Sequence, residues 1–318
     1  MNDPVPVLRG PAAIQRAAAI LRDGRLVGMP TETVYGLAGD AADPVAVARI
    51  FAAKGRPRFN PLISHVASMQ LAKAEGILDE RATALAEAFW PGPLTLVVPV
   101  APTLRTCELA RAGLGTIALR IPGHPVAQAL LEAFGGPVSA PSANPSGRLS
   151  PTRPEDVARE LSAEVGMVLD GGPCAAGIES SIVSLLPEDP PRLLRPGAIG
   201  RAHIEALVGS LAEADREGVT APGQLASHYA PRAALRLDAA QAREGETLLG
   251  FGPDAPPEAA NLSASGDTVE AAANLYRMLR ALDATGVETI AVMPIPDEGL
   301  GEAVNDRLRR AAAPRPGD

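Results

Sequence analysis

Apolar residues recur at helical spacing near the beginning of the chain. Between positions 11 and 22 they are Ile14, Ala17, Ala18 and Leu21. This is the i, i+3, i+4, i+7 spacing that one buried helix face requires. Proline at position 11 and glycine at position 24 suit the two ends of a helix, so the pattern predicts a helix over residues 11–22.

A second helix is predicted after a short apolar strand at residues 25–29. Asp43 and Pro44 open it, because Asp accepts hydrogen bonds from free backbone N–H groups and proline suits the first turn. Gly55 ends it directly after Lys54. The pattern therefore places the Lys54 side chain at the end of a helix.

Short runs rich in valine, isoleucine and leucine predict the remaining strands of a first domain. They cover residues 61–66, 94–100, 116–121, 138–140, 165–169 and 181–186. The runs at 94–100 and 116–121 follow each other without a helix, which indicates an antiparallel pair in a mixed sheet. Thr152 and Glu155 have the spacing of a capping box, which predicts a helix that starts there and runs through Leu161.

A second unit is predicted beyond a stretch of little periodicity. Residues 214–231 contain a Pro-Gly pair and a further proline, which indicates a linker. Strands at 246–251 and 288–293 then alternate with helices at 268–282 and 299–311, which favours a small parallel sheet. We expect a first α/β domain at residues 1–211, a linker at 212–233 and a smaller α/β domain at 234–318.

Composition narrows the function classes. Hydrophobic residues make up 46% of the chain but aromatic residues only 3%, so a stacking platform for nucleic-acid bases is not available. The formal net charge of -8 argues against general neutralisation of a phosphate backbone. Cys107 and Cys174 stand far apart without a CxxC pair, which excludes zinc fingers and fits a reducing compartment. No signal-peptide or membrane-spanning pattern is found, so we expect a soluble cytoplasmic protein without a membrane contact.

The densest cationic cluster is the segment KGRPR, residues 54–58. Three cationic residues in a segment that proline makes rigid can bind a polyphosphate, although a solvated turn has the same composition. The chain has 29 lysine and arginine residues, yet only Lys54 and Lys73 are lysine. A lysine in so arginine-rich a chain indicates a need for a compact point charge, as phosphate binding has.

Two other features are candidates for ligand binding. The loop SAPSANPSGR at 139–148 carries small hydroxyl and amide groups that can bind a ligand without filling its pocket, as ordinary loops also do. Arg120 lies on a predicted strand, and an inward arginine needs an anionic partner, which a bound carboxylate would supply. The segments 30–37, 177–181 and 195–197 are, taken singly, typical of turns or sheet edges.

Several standard motifs are absent from the sequence. There is no GxxxxGK[ST] loop, and the two GxGxxA spacings, at 113–118 and 250–255, open no helix. The four histidines lack metal-ligand spacing, and no Ser-His-Asp set is evident. His124 and His203 are predicted to be helix-start or surface residues.

Six segments together resemble the signature blocks of the threonylcarbamoyl-AMP synthases. They are PTETVYGLAGDA, KGRPRFNPLISHV, WPGPLTLVVP, GTIALRIPGHP, SAPSANPSGRLSPT and LLRPGAIG. HYAP at 228–231 and the closing NDRLRRAA resemble the linker and C-terminal domain of the two-domain form of that family. The resemblance implies a twisted mixed α/β sheet around a deep positive cavity in a catalytic domain at 1–211, with a small Rossmann-like α/β domain tethered over it.

The resemblance also implies the reaction of an L-threonylcarbamoyladenylate synthase. L-threonine and bicarbonate or CO2 give N-carboxythreonine, whose carboxylate attacks the α-phosphate of ATP and expels pyrophosphate. The product, threonylcarbamoyl-AMP, serves threonylcarbamoyladenosine modification of tRNA through a downstream tRNA threonylcarbamoyl-transferase complex. This nucleotidyl transfer uses Mg2+ with ATP and needs no nucleophile from the enzyme, and no metal ligand of the protein is assigned.

Matching the blocks residue by residue implies the site. Lys54 and Arg56 would be catalytic through the charge they offer to phosphate. ATP would be bound by Arg56, Asn60, Thr116, Ser142, Asn144, Ser150, Arg195 and Tyr229, the last closing over the nucleotide. Threonine would be bound by Thr33, His65, Arg120, the backbone of Ala140, and Ser180. The sequence departs from the family pattern at Ser181 and Ser184, which stand in place of threonine and aspartate.

A second hypothesis is a tRNA or double-stranded RNA binding module without catalysis, since this also uses a positive cavity. The acidic balance of the chain disfavours it. A weak contact with tRNA remains an expectation beside the synthase. A carbamoyl-transfer maturation protein with a related domain would need zinc-binding cysteine pairs, which two separate cysteines do not provide.

Overall fold

The computed structural model describes residues 5–161, 163–213 and 228–314. The helices in these residues are α1 (Pro11–Arg22), α2 (Pro44–Lys54), α3 (Met69–Glu75), α4 (Glu80–Phe89), α5 (Pro125–Phe134), α6 (Pro154–Glu160), α7 (Arg201–Val208), α8 (Thr268–Asp283) and α9 (Gly301–Ala312). The strands are β1 (Val7–Leu8), β2 (Leu26–Met29), β3 (Gly36–Asp40), β4 (Ile63–His65), β5 (Leu94–Pro99), β6 (Thr116–Arg120), β7 (Val138–Ser139), β8 (Val165–Leu169), β9 (Ser181–Ser184), β10 (Arg192–Arg195), β11 (Ala212–Glu213), β12 (Ala234–Arg236), β13 (Glu246–Gly250), β14 (Ala260–Asn261) and β15 (Thr289–Val292).

The first sheet is mixed, as predicted. Its strand order is β1-β8-β2-β3-β7-β4-β6-β5-β9-β10-β11. The predicted antiparallel pair is β5 and β6, in which Leu96 faces Leu119. β4 and β6 are parallel neighbours and place His65 opposite Arg120. Two residues that lie 55 positions apart in sequence therefore end side by side at one edge of the sheet.

The second sheet is small and parallel, which confirms the prediction from the alternating pattern. Its strand order is β12-β15-β13-β14, and each neighbouring pair is parallel. α8 and α9 pack against each other beside it. The two short strands β12 and β14 were not predicted from the sequence, because runs of two or three residues carry too little pattern.

Helix α2 begins and ends as its sequence predicts. The Asp43 carboxylate accepts a hydrogen bond from Val45 N at 2.8 Å, and Pro44 occupies the first turn. Gly55 has φ 59°, a left-handed conformation that glycine adopts without strain. The chain turns sharply there, and Lys54 is left buried as the last helical residue.

The predicted capping box at Thr152 is wrong. α6 begins at Pro154, its N-cap residue is Arg153, and no side chain caps it. Proline suits the first helical position, so it moves the start of the helix past Thr152. Thr152 is buried, and its carbonyl accepts a hydrogen bond from Cys174 N at 2.9 Å.

The apolar core of the second unit continues into the first. Around β13, β15, α8 and α9 it includes Val34, Leu149, Ile178 and Tyr229, all buried. Gly177 lets the first unit approach α8 closely, because a Cβ there would lie 2.5 Å from the Ala273 Cα. The two units therefore share packed side chains in addition to the chain that joins them.

The predicted linker at 214–231 lies largely outside the described residues. Its closing residues 228–231 are described, and Ala230 N donates to Gly147 O of the first unit at 2.8 Å. The division at residues 211 and 233 stays a prediction. No helix in the described part of the chain has the length and apolar character needed to cross a membrane.

Candidate active site

A hollow with a cavity volume of about 50 Å³ lies at the edge of the first sheet where β4 and β6 end. Most of the predicted site residues line it, and these are Thr33, Arg56, His65, Arg120, Ala140, Ser142, Ser180, Arg195 and Tyr229. The other predicted residues are Lys54, Asn60, Thr116, Asn144 and Ser150. Two sets of residues in and around the hollow, each centred on one arginine, are called the Arg120 group and the Arg56 group.

The Arg120 group consists of Thr33, His65 and Arg120, with Glu32 beside them. The Arg120 guanidinium donates to Gly92 O at 3.1 Å, to Thr33 Oγ1 at 2.9 Å and to Glu32 Oε1 at 2.7 Å. We expected a bound carboxylate to supply the anionic partner of Arg120. The chain itself supplies one in Glu32, so the positive charge of Arg120 is already compensated within the protein.

His65 is held as a neutral imidazole in this group. Burial and, to a smaller extent, the neighbouring Arg120 lower its pKa to about 3. Its Nδ1 is buried and has no hydrogen-bond partner within the described residues. A neutral ring offers one N–H donor and one acceptor, so His65 can bind a polar group without adding charge.

The Arg56 group consists of Lys54, Arg56, Asn60 and the loop from Ser142 to Asn144. Lys54 Nζ donates to Ser142 O and Asn144 O, which joins the end of α2 to that loop. Burial lowers the pKa of Lys54 well below its usual value, and the charge of Arg56 adds to the effect. Lys54 lies behind the lining of the hollow, and one of its three N–H groups remains after these two bonds.

Arg56 lines the hollow and is held by neutral oxygen atoms. It donates to Asn60 O at 3.2 Å, to Asn60 Oδ1 at 2.6 Å and to Pro61 O at 2.9 Å. Burial lowers its pKa to about 10, so it remains charged at neutral pH. Lys54 and Arg56 have no carboxylate partner within the described part of the chain.

The loop after β7 brings backbone atoms close to the hollow. Gly36 allows this approach, because a Cβ there would lie 3.0 Å from the Ala140 Cβ. Asn144 is fully buried and donates to Pro145 O and Arg148 O at 2.9 and 2.8 Å. Asn144 therefore shapes this loop from behind, while Ser142 and Ala140 face the hollow.

Arg195 and Ser180 line the hollow and are hydrogen-bonded to each other. Arg195 Nη2 donates to Ser180 O at 2.9 Å and to Ser180 Oγ at 3.1 Å. The Ser180 hydroxyl also lies 2.7 Å from Thr95 Oγ1 on β5. Ser180 is thus fixed by its neighbours before any ligand binds.

Tyr229 fills part of the hollow from the end of the predicted linker. Its φ of 61° is unusual for a residue other than glycine, and the side chain is 1% exposed. The ring lies 6.0 Å from the Tyr276 ring, and the Arg307 guanidinium lies 5.0 Å from its centre. Residues of α8 and α9 therefore hold Tyr229 in place.

Ser150 is directed to Glu179 and does not line the hollow. Its hydroxyl donates to Glu179 Oε1 at 2.5 Å, and Tyr276 and Arg307 donate to the same carboxylate. Burial raises the pKa of Glu179, but Arg307 and Arg195 outweigh this and hold the pKa at about 2. A charged carboxylate thus links the first unit to α8 and α9.

Thr116 lies at the opposite end of β6 from Arg120. It shares one sheet face with Arg120 because side chains alternate along a strand, but the two residues are four positions apart. At about 3.3 Å per residue this is a separation of about 13 Å. Thr116 is half-buried and does not line the hollow.

Four polar residues in or beside the lining had no predicted role: Thr31, Glu32, Glu179 and His228. Glu32 and Glu179 lie in segments that were noted as candidate turns. A buried arginine requires a carboxylate partner, and Glu32 in the block PTET could have been identified as the partner of Arg120 on this ground. No comparable signal links Glu179 to Arg307, because the two are 128 positions apart.

No group of three or more His, Cys, Asp or Glu residues in the described ranges is placed to hold a metal ion. Glu32 and Glu179 are both engaged with arginines. A magnesium ion that arrives with nucleotide phosphates needs few protein ligands, since phosphate oxygens and water fill most of its coordination positions.

Comparisons with known proteins agree on one family. The Sua5/YciO/YrdC family model, described as telomere recombination, matches residues 19–197. The model of the threonylcarbamoyl-AMP synthase C-terminal domain matches residues 199–313. The threonylcarbamoyl-AMP synthase of Bacillus subtilis strain 168 is 39% identical over 326 residues, which cover 95% of this chain and 93% of the relative. The chain belongs to the threonylcarbamoyl-AMP synthase family.

Other members of the family extend the match. The threonylcarbamoyl-AMP synthase of Pyrococcus abyssi is 40% identical over 327 residues, covering 95% of this chain and 94% of that one. The crystal structure of P. abyssi Sua5 complexed with L-threonine superposes with a TM-score of 0.88 at 37% identity. It covers 96% of this chain and 97% of that one, so this family member shares both the first and the second unit.

Proposed function

We propose that this enzyme is an L-threonylcarbamoyladenylate synthase, a nucleotidyltransferase that joins L-threonine, bicarbonate or CO2 and ATP with release of pyrophosphate. One observation supports this most strongly: in a member of the synthase family, a single hollow is lined by Arg120 and by Arg56. An amino-acid carboxylate and a phosphate group must meet in this reaction, and the guanidinium groups of Arg120 and Arg56 in one hollow can bind them side by side.

The proposed chemistry needs no nucleophile from the protein. The threonine nitrogen attacks the carbon of CO2, or of bicarbonate with loss of water, and forms N-carboxythreonine. A carboxylate oxygen of this intermediate then attacks the α-phosphorus of ATP, and the bond to pyrophosphate breaks. The role of the protein is to hold both partners in line and to stabilise the charge that builds on the phosphoryl oxygens.

The Arg120 group is the proposed threonine site, with the Ala140 backbone and Ser180 beside it. After its three bonds within the protein, the Arg120 guanidinium retains further N–H donors, because arginine has five. A carboxylate can accept these donors at a position fixed by Glu32 and Thr33.

The Arg56 group is the proposed phosphate site. Arg56 lines the hollow and would contact a phosphate oxygen, and Lys54 behind the lining holds Ser142 and Asn144 through their carbonyls and would add positive charge near that phosphate. Asn60, Thr116, Ser150, Arg195 and Tyr229 complete the proposed nucleotide site. Ser150 acts there through Glu179, since its hydroxyl is already donated to that carboxylate.

Magnesium enters the proposal as the ion bound to the ATP phosphates. A neighbouring Mg2+ would add positive charge at the phosphoryl group, and the Arg56 group would position the phosphates around it.

The protein is proposed to act in the cytoplasm. Its proposed division is a first domain at 1–211, a linker at 212–233 and a second domain at 234–318. A tRNA threonylcarbamoyl-transferase complex is the proposed consumer of the product, and a weak direct contact with tRNA belongs to the same proposal.

Pyrophosphate release by purified protein tests this function. We expect release only when ATP, Mg2+, L-threonine and bicarbonate are all present, and the adenylate product should appear by mass spectrometry. Release that does not depend on threonine, or no release from folded protein, would contradict the proposal. Retention of RNA with a steep salt dependence and no response to ATP would instead favour the RNA-binding hypothesis.

A further inference from the structure

Thr31 lines the hollow next to the Arg120 group, and no role has been assigned to it above. Its side chain is 3% exposed, and that of Thr33 is 1% exposed. The two hydroxyl oxygens lie 2.8 Å apart, so one of them donates a proton to the other. The direction of this one hydrogen bond decides what Thr33 presents to a ligand.

The proton of the Thr31 hydroxyl is already engaged. Thr31 Oγ1 lies 2.6 Å from Val34 O and donates to it. If Thr31 turned its proton to Thr33, the Val34 carbonyl would lose the donor it has among the described residues. Leaving a buried carbonyl without a donor is costly, so the Thr31 proton stays on the Val34 side.

The Thr33 hydroxyl must therefore be the donor to Thr31. Thr31 Oγ1 also lies 3.2 Å from both Thr33 N and Val34 N, and these longer N–H contacts share its two lone pairs with the Thr33 hydroxyl at 2.8 Å. Thr33 Oγ1 in turn accepts from Arg120 Nη1 at 2.9 Å. One lone pair of Thr33 Oγ1 remains, and its proton is not available to a ligand.

We propose that Thr31 is a specificity-determining residue that makes the Thr33 hydroxyl a pure hydrogen-bond acceptor toward the substrate. The inference rests on the proposed function, in which Thr33 contacts threonine. The group that Thr33 accepts from is an N–H or an O–H of the amino acid. A carboxylate cannot occupy this position, so the substrate is held with its carboxylate on Arg120 and a donor on Thr33.

Four variants test this role: Thr31→Val, Thr31→Ser, Thr33→Val and the double variant Thr31→Val with Thr33→Val. Without the Thr31 hydroxyl, Thr33 is free to turn its proton toward the ligand. We expect Thr31→Val to raise the threonine KM about tenfold, with smaller changes in kcat and in the ATP KM. Thr31→Ser retains the hydroxyl and should restore most of the threonine affinity.

The double variant separates this role from a general effect on the loop. If Thr31 acts through the Thr33 proton, Thr31→Val should change the threonine KM little once Thr33 is valine. An undiminished effect in that background would overturn the inference, as would equal KM values for Thr31→Val and Thr31→Ser. If Thr31→Val does not fold by circular dichroism, Thr31→Ala removes the hydroxyl without added volume and takes its place in the cycle.

L-2-aminobutyrate, which lacks the threonine hydroxyl, identifies the donor. If the substrate hydroxyl donates to Thr33, Thr31→Val should raise KM for threonine and leave KM for 2-aminobutyrate unchanged. If the nitrogen donates, both values should rise by the same factor. A wild-type protein without threonine-dependent pyrophosphate release would overturn the proposed function itself, whereas an active wild type with silent Thr31 variants would overturn this inference alone.

Discussion

The Arg120 group and the Arg56 group differ in the atoms that satisfy their N–H donors. Arg120 forms an ion pair with a carboxylate of the same chain, since Glu32 Oε1 lies 2.7 Å from its guanidinium. Lys54 and Arg56 donate to carbonyl and amide oxygens, which carry no net charge. The first group is electrically compensated before any ligand arrives, and the second has positive charge available for an anion.

This difference suits two kinds of substrate. A zwitterionic amino acid carries little net charge, so its site needs donors and acceptors in fixed places more than it needs net charge. A polyphosphate carries several negative charges, and its binding offsets the burial that lowers the pKa values of Lys54 and Arg56. The comparison therefore predicts that variants in the two groups affect different kinetic constants.

The largest effect is expected in the Arg56 group. Arg56→Ala should lower kcat for pyrophosphate release by about 10²–10³-fold, because it removes a charge that would act on the phosphoryl group. Steady-state kinetics at saturating substrates measures this. Arg58→Ala is the matched control, because Arg58 is exposed in the same turn. Equal rates in the two variants would remove Arg56 from the proposed chemistry.

The next largest effect concerns the contact between the two units. Glu179→Gln removes one of the two carboxylates that pair with buried Arg307, while Asp306 remains, and we expect a loss of about 2 kcal/mol in the free energy of unfolding at pH 7. Urea denaturation followed by circular dichroism measures it. Glu298→Gln, at an exposed position of the second unit, should change stability far less.

The same pair predicts a dependence of stability on pH. The pKa of Glu179 is about 2 in the folded protein, below its usual 4.5. Its contribution is therefore fully present above about pH 4.5 and is lost as the pH falls toward 2. The stability difference between wild type and Glu179→Gln should shrink over this interval. A difference that stayed constant down to pH 2 would show that the charge of Glu179 is not what holds the units together.

A smaller effect is expected in the Arg120 group. Arg120→Lys keeps the charge but cannot reproduce three bonds in different directions, so we expect the threonine KM to rise about tenfold. The ATP KM should change little, since the Arg56 group is intact. If both KM values rose together, the separation of the pocket into two groups would be wrong.

Local patterns predicted much of the fold. Asp43, Pro44 and Gly55 fixed both ends of α2, and the runs at 94–100 and 116–121 correctly indicated β5 and β6 as an antiparallel pair. The capping box at Thr152 failed because a neighbouring proline competed for the helix start. β12 and β14 were missed, since runs of two or three residues carry too little pattern and these strands form only by pairing with β15 and β13.

The site was predictable where one segment carries several of its residues. The block at 54–60 contains Lys54, Arg56 and Asn60, and the structure brings these residues together. The bond from Arg307 to Glu179 spans 128 positions and joins two units, so no local pattern reveals it. The same holds for the hydrogen bond of Thr33 with Arg120, because spacing cannot specify which strand ends meet.

The smallest expected effect is the absence of a titration at His65. Burial and the neighbouring Arg120 lower its pKa to about 3, so its imidazole should remain neutral from pH 8 to pH 5. Nitrogen chemical shifts of the His65 ring, assigned with a His65→Gln variant, should stay constant over this range in folded protein. In urea the same ring should titrate near pH 6.5. Because the unfolded chain then binds a proton that the folded protein does not, His65 lowers the stability as the pH falls from about 6.5 toward 3. A ring that titrated near pH 6.5 in the folded protein would show that water reaches His65 and the Arg120 group. The pairing of Arg120 with Glu32 could then no longer explain how this group differs from the Arg56 group.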